Sequence, residues 1–158
     1  LSLGGNSCAF EVAGTCYNTP LLPSPLSLAE CEAQKDDLGI VACFADGDYW
    51  AGAVAHCGGV QNMPTPAQLA EIATDLYGVS IPSSGKITGL TMNKSKPYIS
   101  IFYDVYGDFV RTDGEFALFS NQNSEFSSTT GRGYAETFTT SYSIQRNANN
   151  VMTICISS

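Results

Sequence analysis

The residue types that most often perform catalysis are few in this sequence, and their spacing does not bring them together. The single histidine, His56, directly precedes Cys57 on a predicted helix. Adjacent helical positions diverge by about 100°, so these two side chains do not face each other as a base and a nucleophile would. A triad built from distant segments stays open, but no Gly-x-Ser-x-Gly elbow favours one. We therefore expect no catalytic residues.

Four acidic residues cluster around two predicted turns, and calcium binding is the chemistry that they would suit. Calcium requires several carboxylate and carbonyl oxygens that converge on one point. The spacing of these residues does not match an EF-hand loop, so we interpret them as solvated turn carboxylates and predict neither a metal nor any other cofactor. The four residues are Asp104, Asp108, Asp113 and Glu115.

Residues 120–150 are the best candidate for a binding surface, because Ser, Thr, Asn, Tyr and Phe dominate them. The aromatic residues Tyr134, Phe138 and Tyr142 recur every four positions among threonines that disfavour a helix. On a strand, such even offsets place all three rings on one face. Rigid aromatics among small polar residues are typical of binding surfaces, whereas the alternative is a face that packs on the core. The predicted ligand-binding residues are Asn121, Asn123, Tyr134, Phe138, Tyr142, Gln145 and Asn147.

Length and composition limit the class of protein. The 158 residues suit one domain, and a hydrophobic fraction of 44% indicates a globular chain. The net charge of −8 makes nucleic acid an improbable partner, because phosphate binding needs clustered Lys and Arg. No apolar run approaches the roughly 20 residues that span a bilayer, so we predict no membrane span.

Cysteine usage indicates the compartment. The even number and the absence of a C-x-x-C pair favour three structural disulfides in an exported protein, and buried free thiols in a cytosolic protein are the alternative. Because Leu1 is not an initiator methionine, we expect a chain trimmed of any signal peptide or anchor, placed outside the cell or on its surface. The six are Cys8, Cys16, Cys31, Cys43, Cys57 and Cys155.

Residues 1–47 are predicted to form an N-terminal arm that packs on the rest of the domain. A hairpin is expected between Cys8 and Cys16, with its turn near Ala13-Gly14. A short helix then begins at the Ser27-Leu28-Ala29-Glu30 capping box, ends near Asp36-Asp37 and is stopped by Gly39. The apolar run over residues 40–44 predicts a strand.

Residues 48–158 are predicted to form the core of the domain. Asp48 caps a helix with Trp50, Val54 and Cys57 on one stripe, and an extended link over residues 60–63 follows. A second helix begins at Thr65-Pro66, buries Leu69 and Ile72, and ends at Gly78. Strands are predicted over residues 98–106, 109–112, from 115 onward and over 151–156.

Two helices, a β-rich half and a last strand with a cysteine follow the order of a C-type lectin fold. The run Asp48-Tyr49-Trp50-Ala51, Ala55-His56-Cys57, Met63-Pro64-Thr65 and Gln68-Leu69 resembles the W-x-x-A…C…LPT…EL run of bacterial C-type lectin-like domains. Ala117-Leu118-Phe119-Ser120 lies where that group often has Trp-Ser, and Ile154-Cys155-Ile156 lies at its closing V-R-C-V. The resemblance covers residues 48–157, about two thirds of the chain.

The resemblance implies an α+β, C-type lectin-like fold: two helices packed on a mixed, mostly antiparallel sheet with long loops, stapled by disulfides. It also implies that Cys57 pairs with Cys155, and Cys8–Cys16 and Cys31–Cys43 are then the simplest remaining pairs. The Glu-Pro-Asn, Gln-Pro-Asp and Trp-Asn-Asp motifs of calcium-dependent lectins do not occur here. Calcium-mediated sugar binding is therefore not carried over.

By this resemblance the protein is expected to be an exported, non-enzymatic ligand-binding module, adhesin-like or receptor-like, from a bacterium. Its partner would be a protein or glycan on another cell or molecule. Residues 120–150 resemble the variable proteins of diversity-generating retroelements, in which adenine-directed mutagenesis rewrites a C-terminal surface. The alternatives are an enzyme that reuses the formylglycine-generating type of this fold and a structural, pilin-like surface subunit.

Overall fold

A computed structural model describes residues 8–77, 118–127, 132–137, 143–146 and 151–157. Within these residues the protein is mixed α+β, with three α-helices, a two-stranded hairpin and a three-stranded antiparallel sheet. The predicted α+β class is therefore confirmed. The predicted strands over 98–106 and 109–112, the four turn carboxylates and the Gly78 helix end lie outside the described residues. No helix in the described part is long and apolar enough to cross a membrane.

The N-terminal arm begins with the predicted hairpin. Strands β1 (Phe10–Val12) and β2 (Thr15–Tyr17) pair antiparallel. Ala13 and Gly14 connect them with φ angles of 52° and 83°, and two successive positive φ angles give the turn whose twist matches that of the strands. A disulfide joins Cys8 to Cys16, as expected.

Helix α1 (Leu28–Leu38) has the predicted boundaries. The Ser27 hydroxyl accepts from the Glu30 N–H at 3.1 Å, and the Glu30 carboxylate accepts from the Ser27 N–H at 2.9 Å. The helix ends at Gly39, whose φ of 76° closes it in the left-handed conformation. Only Cys31 and Leu38 of this helix are buried, so few apolar side chains hold the helix on the core. The Cys31–Cys43 disulfide adds a covalent link to the following loop.

The strand predicted over residues 40–44 is absent, and that prediction was wrong. Ile40 is buried in the core, whereas Val41 is 81% exposed and Cys43 turns back to bond with Cys31. No described strand lies beside this run, so its backbone has no ladder to join. The segment is a loop, because an apolar run becomes a strand only where a second strand satisfies its N–H and C=O groups.

Helix α2 (Tyr49–Cys57) lies at the centre of the core. The Asp48 carboxylate accepts from the Ala51 N–H at 2.9 Å, and Gly58 ends the helix at a φ of 83°. Every residue from Trp50 to Val54 is buried, whereas His56 is exposed, so the predicted stripe of Trp50, Val54 and Cys57 is part of a wider buried surface. The buried residues packed with it include Cys31, Leu38, Ile40, Met63, Phe119 and Val151.

The link after α2 is a 3₁₀ turn over Val60–Asn62, not the extended segment that we predicted. The Asn62 and Met63 N–H groups donate to the Gly59 and Val60 carbonyls, each at 3.1 Å. The Asn62 side-chain amide also donates to the Cys57 carbonyl at 2.9 Å. An asparagine that satisfies a free carbonyl at the helix end favours the compact turn.

Helix α3 (Pro66–Tyr77) begins where the sequence predicts. The Gln68 N–H donates to the Thr65 hydroxyl at 3.1 Å, and the Thr65 N–H donates to the Gln68 side chain at 2.9 Å. Leu69 and Ile72 are buried in the core. The prediction of this helix and of its buried face is confirmed.

The antiparallel sheet comprises β3 (Phe119–Ser127), β4 (Arg132–Thr137) and β5 (Ser143–Gln145), in the order β3-β4-β5. The register of β3 against β4 shifts twice between residues 119 and 126. Such bulges bend a strand and increase its twist. The sheet is joined to the start of α3 by a hydrogen bond of 2.8 Å from the Asn121 N–H to the Pro64 carbonyl.

Residues 151–157 run between the start of β3 and the arm. Met152 forms a parallel bridge with Leu118, while Thr153 pairs with Leu21 through hydrogen bonds of 3.0 and 2.8 Å. Ile156 bridges Tyr17. The segment is extended and buried, but its partners change along its length, so it forms isolated bridges and not the regular strand that we predicted.

All three expected disulfides are present. Cys57–Cys155 joins the end of α2 to the last segment across a sequence separation of 98 residues. Closing a loop of this length stabilises the folded state by about 4–5 kcal/mol in the chain-entropy description. Cys8–Cys16 and Cys31–Cys43 close short loops of the arm, with separations of 8 and 12 residues.

Gly52 provides a test of how closely the arm crosses α2. A Cβ at this position would lie 1.7 Å from the Ser24 carbonyl oxygen. Helix propensity alone predicts that Gly52→Ala stabilises the protein by about 1 kcal/mol. We expect the opposite, a loss of about 3 kcal/mol, because overpacking displaces backbone. Urea unfolding measures the difference, with Ala55→Gly as the control for propensity. A gain in stability in Gly52→Ala would contradict the close approach of the Ser24 backbone to Gly52.

Tyr17 predicts a pH dependence of stability. Burial, followed by the nearby Glu71 carboxylate, raises the pKa of Tyr17 from 10.0 to about 12. Above pH 10 the unfolded chain loses this proton while the folded protein keeps it, so stability is complete below pH 10 and falls toward pH 12. The loss from Tyr17 is about 2 kcal/mol at pH 12.

Urea unfolding in short incubations at pH 9 and pH 12 tests this dependence. Tyr17→Phe should lose about 2 kcal/mol less between these two values than the unsubstituted protein does. Tyr49→Phe removes a half-buried hydroxyl elsewhere and is the matched control. If Tyr17→Phe and the unsubstituted protein lose equal free energy of unfolding between pH 9 and pH 12, the pKa of Tyr17 is not raised by folding.

Candidate functional site

Trp50 contacts both ends of the segment that the sequence predicts to bind a ligand. Its indole N–H donates to the Ser120 carbonyl oxygen at 2.8 Å. Its ring lies 4.4 Å from the guanidinium carbon of Arg146, and its backbone N–H donates to the Arg146 carbonyl oxygen at 3.3 Å. Ser120, Trp50 and Arg146 are all buried. One helical residue thus contacts the buried residues on both sides of residues 121–145, and we call these residues the anchored segment.

Arg146 is 2% exposed and is paired with a buried carboxylate. Its Nε donates to Asp48 Oδ1 at 3.1 Å, and its Nη2 contacts Asp48 Oδ2 at 2.5 Å. The Ala42 carbonyl oxygen accepts from Nη1 at 3.1 Å. The guanidinium also lies over the rings of Phe44 and Trp50. We call these five residues the Arg146 cluster.

The electrostatics of the Arg146 cluster balance two opposed effects. Burial lowers the pKa of Arg146, and the Asp48 carboxylate opposes that change. An arginine keeps its charge in proteins, so the guanidinium group stays cationic in the folded state. Removing both charges from water is costly, but a two-point contact, a carbonyl acceptor and two aromatic faces recover much of the cost.

Asp48 has two further roles at the same place. Its carboxylate caps the first turn of α2 at the Ala51 N–H. Its backbone exchanges two hydrogen bonds of 3.1 Å with Leu26 in the arm. A negative charge at a helix N-terminus is also favourable to the helix dipole. The arm, the central helix and the end of the anchored segment therefore meet at one residue.

The structure places the predicted binding residues in three groups. Asn123, Tyr134 and Gln145 lie on three neighbouring strands: Tyr134 pairs with Gln145, and Asn123 pairs with Ala135. Asn121 is half-buried, and its side-chain oxygen is buried without a hydrogen-bond partner in the described residues. Phe138, Tyr142 and Asn147 lie outside the described residues.

The boundaries of the predicted surface need correction. Ser120 and Arg146 lie within the stretch that we interpreted as a surface, yet both are buried. The sequence contains one weak signal for the role of Arg146, an isolated charge in a nearly neutral stretch, but it does not indicate that the partner is Asp48, 98 residues earlier.

The other groups considered for chemistry do not assemble in the described part of the chain. His56 is exposed on α2. No group of three or more His, Cys, Asp or Glu side chains that could hold a metal ion occurs among the described residues. Comparison of the chain with protein families, with curated proteins and with solved structures gave no match. The geometry of this chain alone therefore supports the proposal below.

The buried pair of Arg146 and Asp48 should contribute far more to the free energy of unfolding than the exposed pair of Lys35 and Glu32 does. Arg146→Met and Asp48→Asn should each lower the free energy of unfolding by about 3–5 kcal/mol, since each leaves a buried charge without its partner. The double variant should lose clearly less than the sum of the two.

Urea unfolding followed by far-UV circular dichroism measures these losses. The control is Lys35→Met, which breaks the exposed 3.6 Å contact of Lys35 with Glu32 and should cost less than about 1 kcal/mol. Strictly additive losses in the double variant, or equal losses in Arg146→Met and Lys35→Met, would show that the buried pair is not a unit.

Proposed function

We propose that this protein is an exported, non-enzymatic ligand-binding module, adhesin-like or receptor-like, with a C-type lectin-like fold. The anchored segment carries the ligand, and the partner is a protein or glycan on another cell or molecule. The observation that carries the proposal is the contact of Trp50 with both ends of this segment.

Anchoring at both ends separates the stability of the scaffold from the chemistry of the segment. The core around α2, the Arg146 cluster and the Cys57–Cys155 bond all involve residues outside this segment. Side chains between the two anchors are then free to vary for recognition, provided that the sheet forms. Binding residues held by a rigid scaffold are a common arrangement in proteins. This arrangement also supports the proposal of retroelement diversification within residues 121–145.

The composition of the anchored segment favours a polar ligand of low charge. Its charged residues are Glu125, Arg132 and Glu136, and most of the rest are Ser, Thr, Asn, Gln and aromatic residues. Amides and hydroxyls supply both donors and acceptors, while aromatic rings offer large contact area at a low cost in side-chain entropy. Glycans and uncharged protein surfaces present complementary groups.

The disulfides support export, because such bonds persist in oxidising compartments and are rare in the cytosol. The pairing of Cys57 with Cys155 supports the C-type lectin-like fold, since it joins the first core helix to the last segment as that resemblance implies. Helices α2 and α3 begin at the residues that carry the resemblance, Asp48 and Thr65. A bacterial cell surface is the location that fits these features together.

The binding test uses the full chain against arrays of glycans and of bacterial and host surface proteins. We expect binding to one of these classes without added metal. Tyr134→Ala and Gln145→Ala should each weaken binding about tenfold or more, since truncating a central contact residue commonly costs over 1 kcal/mol. The control is Glu32→Ala on α1, which should bind as the unsubstituted protein does.

Melting curves accompany the binding measurement, so that lost binding is not confused with lost structure. If the two side chains belong to the binding surface and not to the core, both variants should remain within about 0.5 kcal/mol of the unsubstituted protein. Binding that survives every substitution in the anchored segment would place the ligand elsewhere. Binding that Glu32→Ala abolishes equally would also reject the segment as the site.

A further inference from the structure

Both residues that flank Cys43 contact the guanidinium group of Arg146. The Ala42 carbonyl oxygen accepts from Nη1 at 3.1 Å, and the centre of the Phe44 ring lies 4.8 Å from the guanidinium carbon. Cys43 itself is bonded to Cys31 in α1. We infer that the Cys31–Cys43 disulfide positions Arg146 and thereby fixes the C-terminal end of the anchored segment.

The Cys31–Cys43 bond is one of the contacts that hold the loop over residues 40–47 against α1. In the described part of the chain the loop pairs with no strand, and Val41 within it is 81% exposed. Beyond Ile40, its contacts with α1 include the disulfide and a hydrogen bond of 2.8 Å from the Leu28 N–H to Asp46 Oδ1. Of these contacts with α1, the disulfide is the one adjacent in sequence to Ala42 and Phe44. It therefore restrains the part of the loop that contacts Arg146.

The same bond makes the Arg146 cluster sensitive to a thiol reductant. A reductant thiolate attacks one sulfur of the bond, and a second reductant thiol then releases the mixed disulfide. The products are two protein thiols and one disulfide of the reductant, so the electrons balance. Arg146 keeps Asp48 but loses the fixed positions of Ala42 and Phe44. The consequence for ligand binding rests on the proposed function, whereas the effect on Arg146 does not.

Two measurements report the position of Arg146 and need no ligand: fluorescence quenching of Trp50 and hydrogen exchange of two backbone N–H groups. Trp50 is the single tryptophan of the chain, is 1% exposed and touches the guanidinium, so acrylamide quenching of its fluorescence measures access to the cluster. The Tyr49 and Trp50 N–H groups lie in the first turn of α2, where no intrahelical acceptor exists. Both donate to the Arg146 carbonyl oxygen, so their hydrogen exchange reports that oxygen directly.

The experiment compares Cys31→Ala/Cys43→Ala with Cys8→Ala/Cys16→Ala in the full chain. Both pairs close short loops, of 12 and 8 residues, so the general effect of losing a cross-link is similar. In the first variant we expect exchange at Tyr49 and Trp50 to accelerate about tenfold, the size of effect that losing one charge-assisted hydrogen bond produces, with stronger quenching of Trp50. The control variant should change neither, and Ala53 and Val54 within α2 should exchange alike in both.

Arg146→Lys separates a positioning role from a general one. Lysine keeps a charge for Asp48 but lacks the planar group that reaches Ala42 and stacks on Phe44. This variant should reproduce the exchange and quenching changes, and removing Cys31–Cys43 as well should add little to them. Fully additive changes would overturn the inference, as would folded variants in which both cysteine pairs affect Tyr49 and Trp50 equally.

If the chain without Cys31–Cys43 does not fold, limited reduction of the unsubstituted protein gives the same test. Peptide mapping follows which bond has opened at each time, and quenching of Trp50 is measured in parallel. Quenching that rises with the opening of Cys31–Cys43 supports the inference. Quenching that follows only Cys8–Cys16 or Cys57–Cys155 overturns it. Loss of ligand binding is scored separately, so the proposed function can fail while this coupling holds.

Discussion

The buried contact between Arg146 and Asp48 is the constraint on which the rest of the arrangement depends. Two ions that leave water must find all of their partners, and here those partners come from the loop before α2, from α2 itself and from the end of β5. Such a pair adds little net stability compared with apolar residues of the same size. Its value is that alternative packings leave a charge unpaired, so it selects one arrangement of these three segments.

Sequence reasoning succeeded where the determining chemistry is local. The capping pairs at Ser27 and Thr65 involve groups three residues apart, and the turn at Ala13-Gly14 depends on two backbone angles. Each therefore predicts a helix start or a hairpin with its boundary. The disulfide pairing came from the resemblance to a family, because spacing alone leaves fifteen ways to join six cysteines.

Sequence reasoning failed where the determining partner is distant. Residues 40–44 have the composition of a strand, but composition does not tell whether a second strand lies alongside. Arg146 and Ser120 sit in a polar stretch, and their burial follows from contacts with Asp48 and Trp50 some 70 to 98 residues earlier. For the candidate site, the sequence therefore indicated the kind of residue involved, while the structure determined where the segment begins and ends.

The bond between Cys57 and Cys155 has a consequence for how the protein responds to proteolytic cleavage. A single cut anywhere between these two cysteines, including in the anchored segment, leaves two fragments that remain one covalent molecule. The core around α2 is built from both fragments, with Trp50 on one side of the cut and Val151 on the other. A nicked molecule can thus keep the two halves of the core in register, because the disulfide holds both fragments in one covalent molecule.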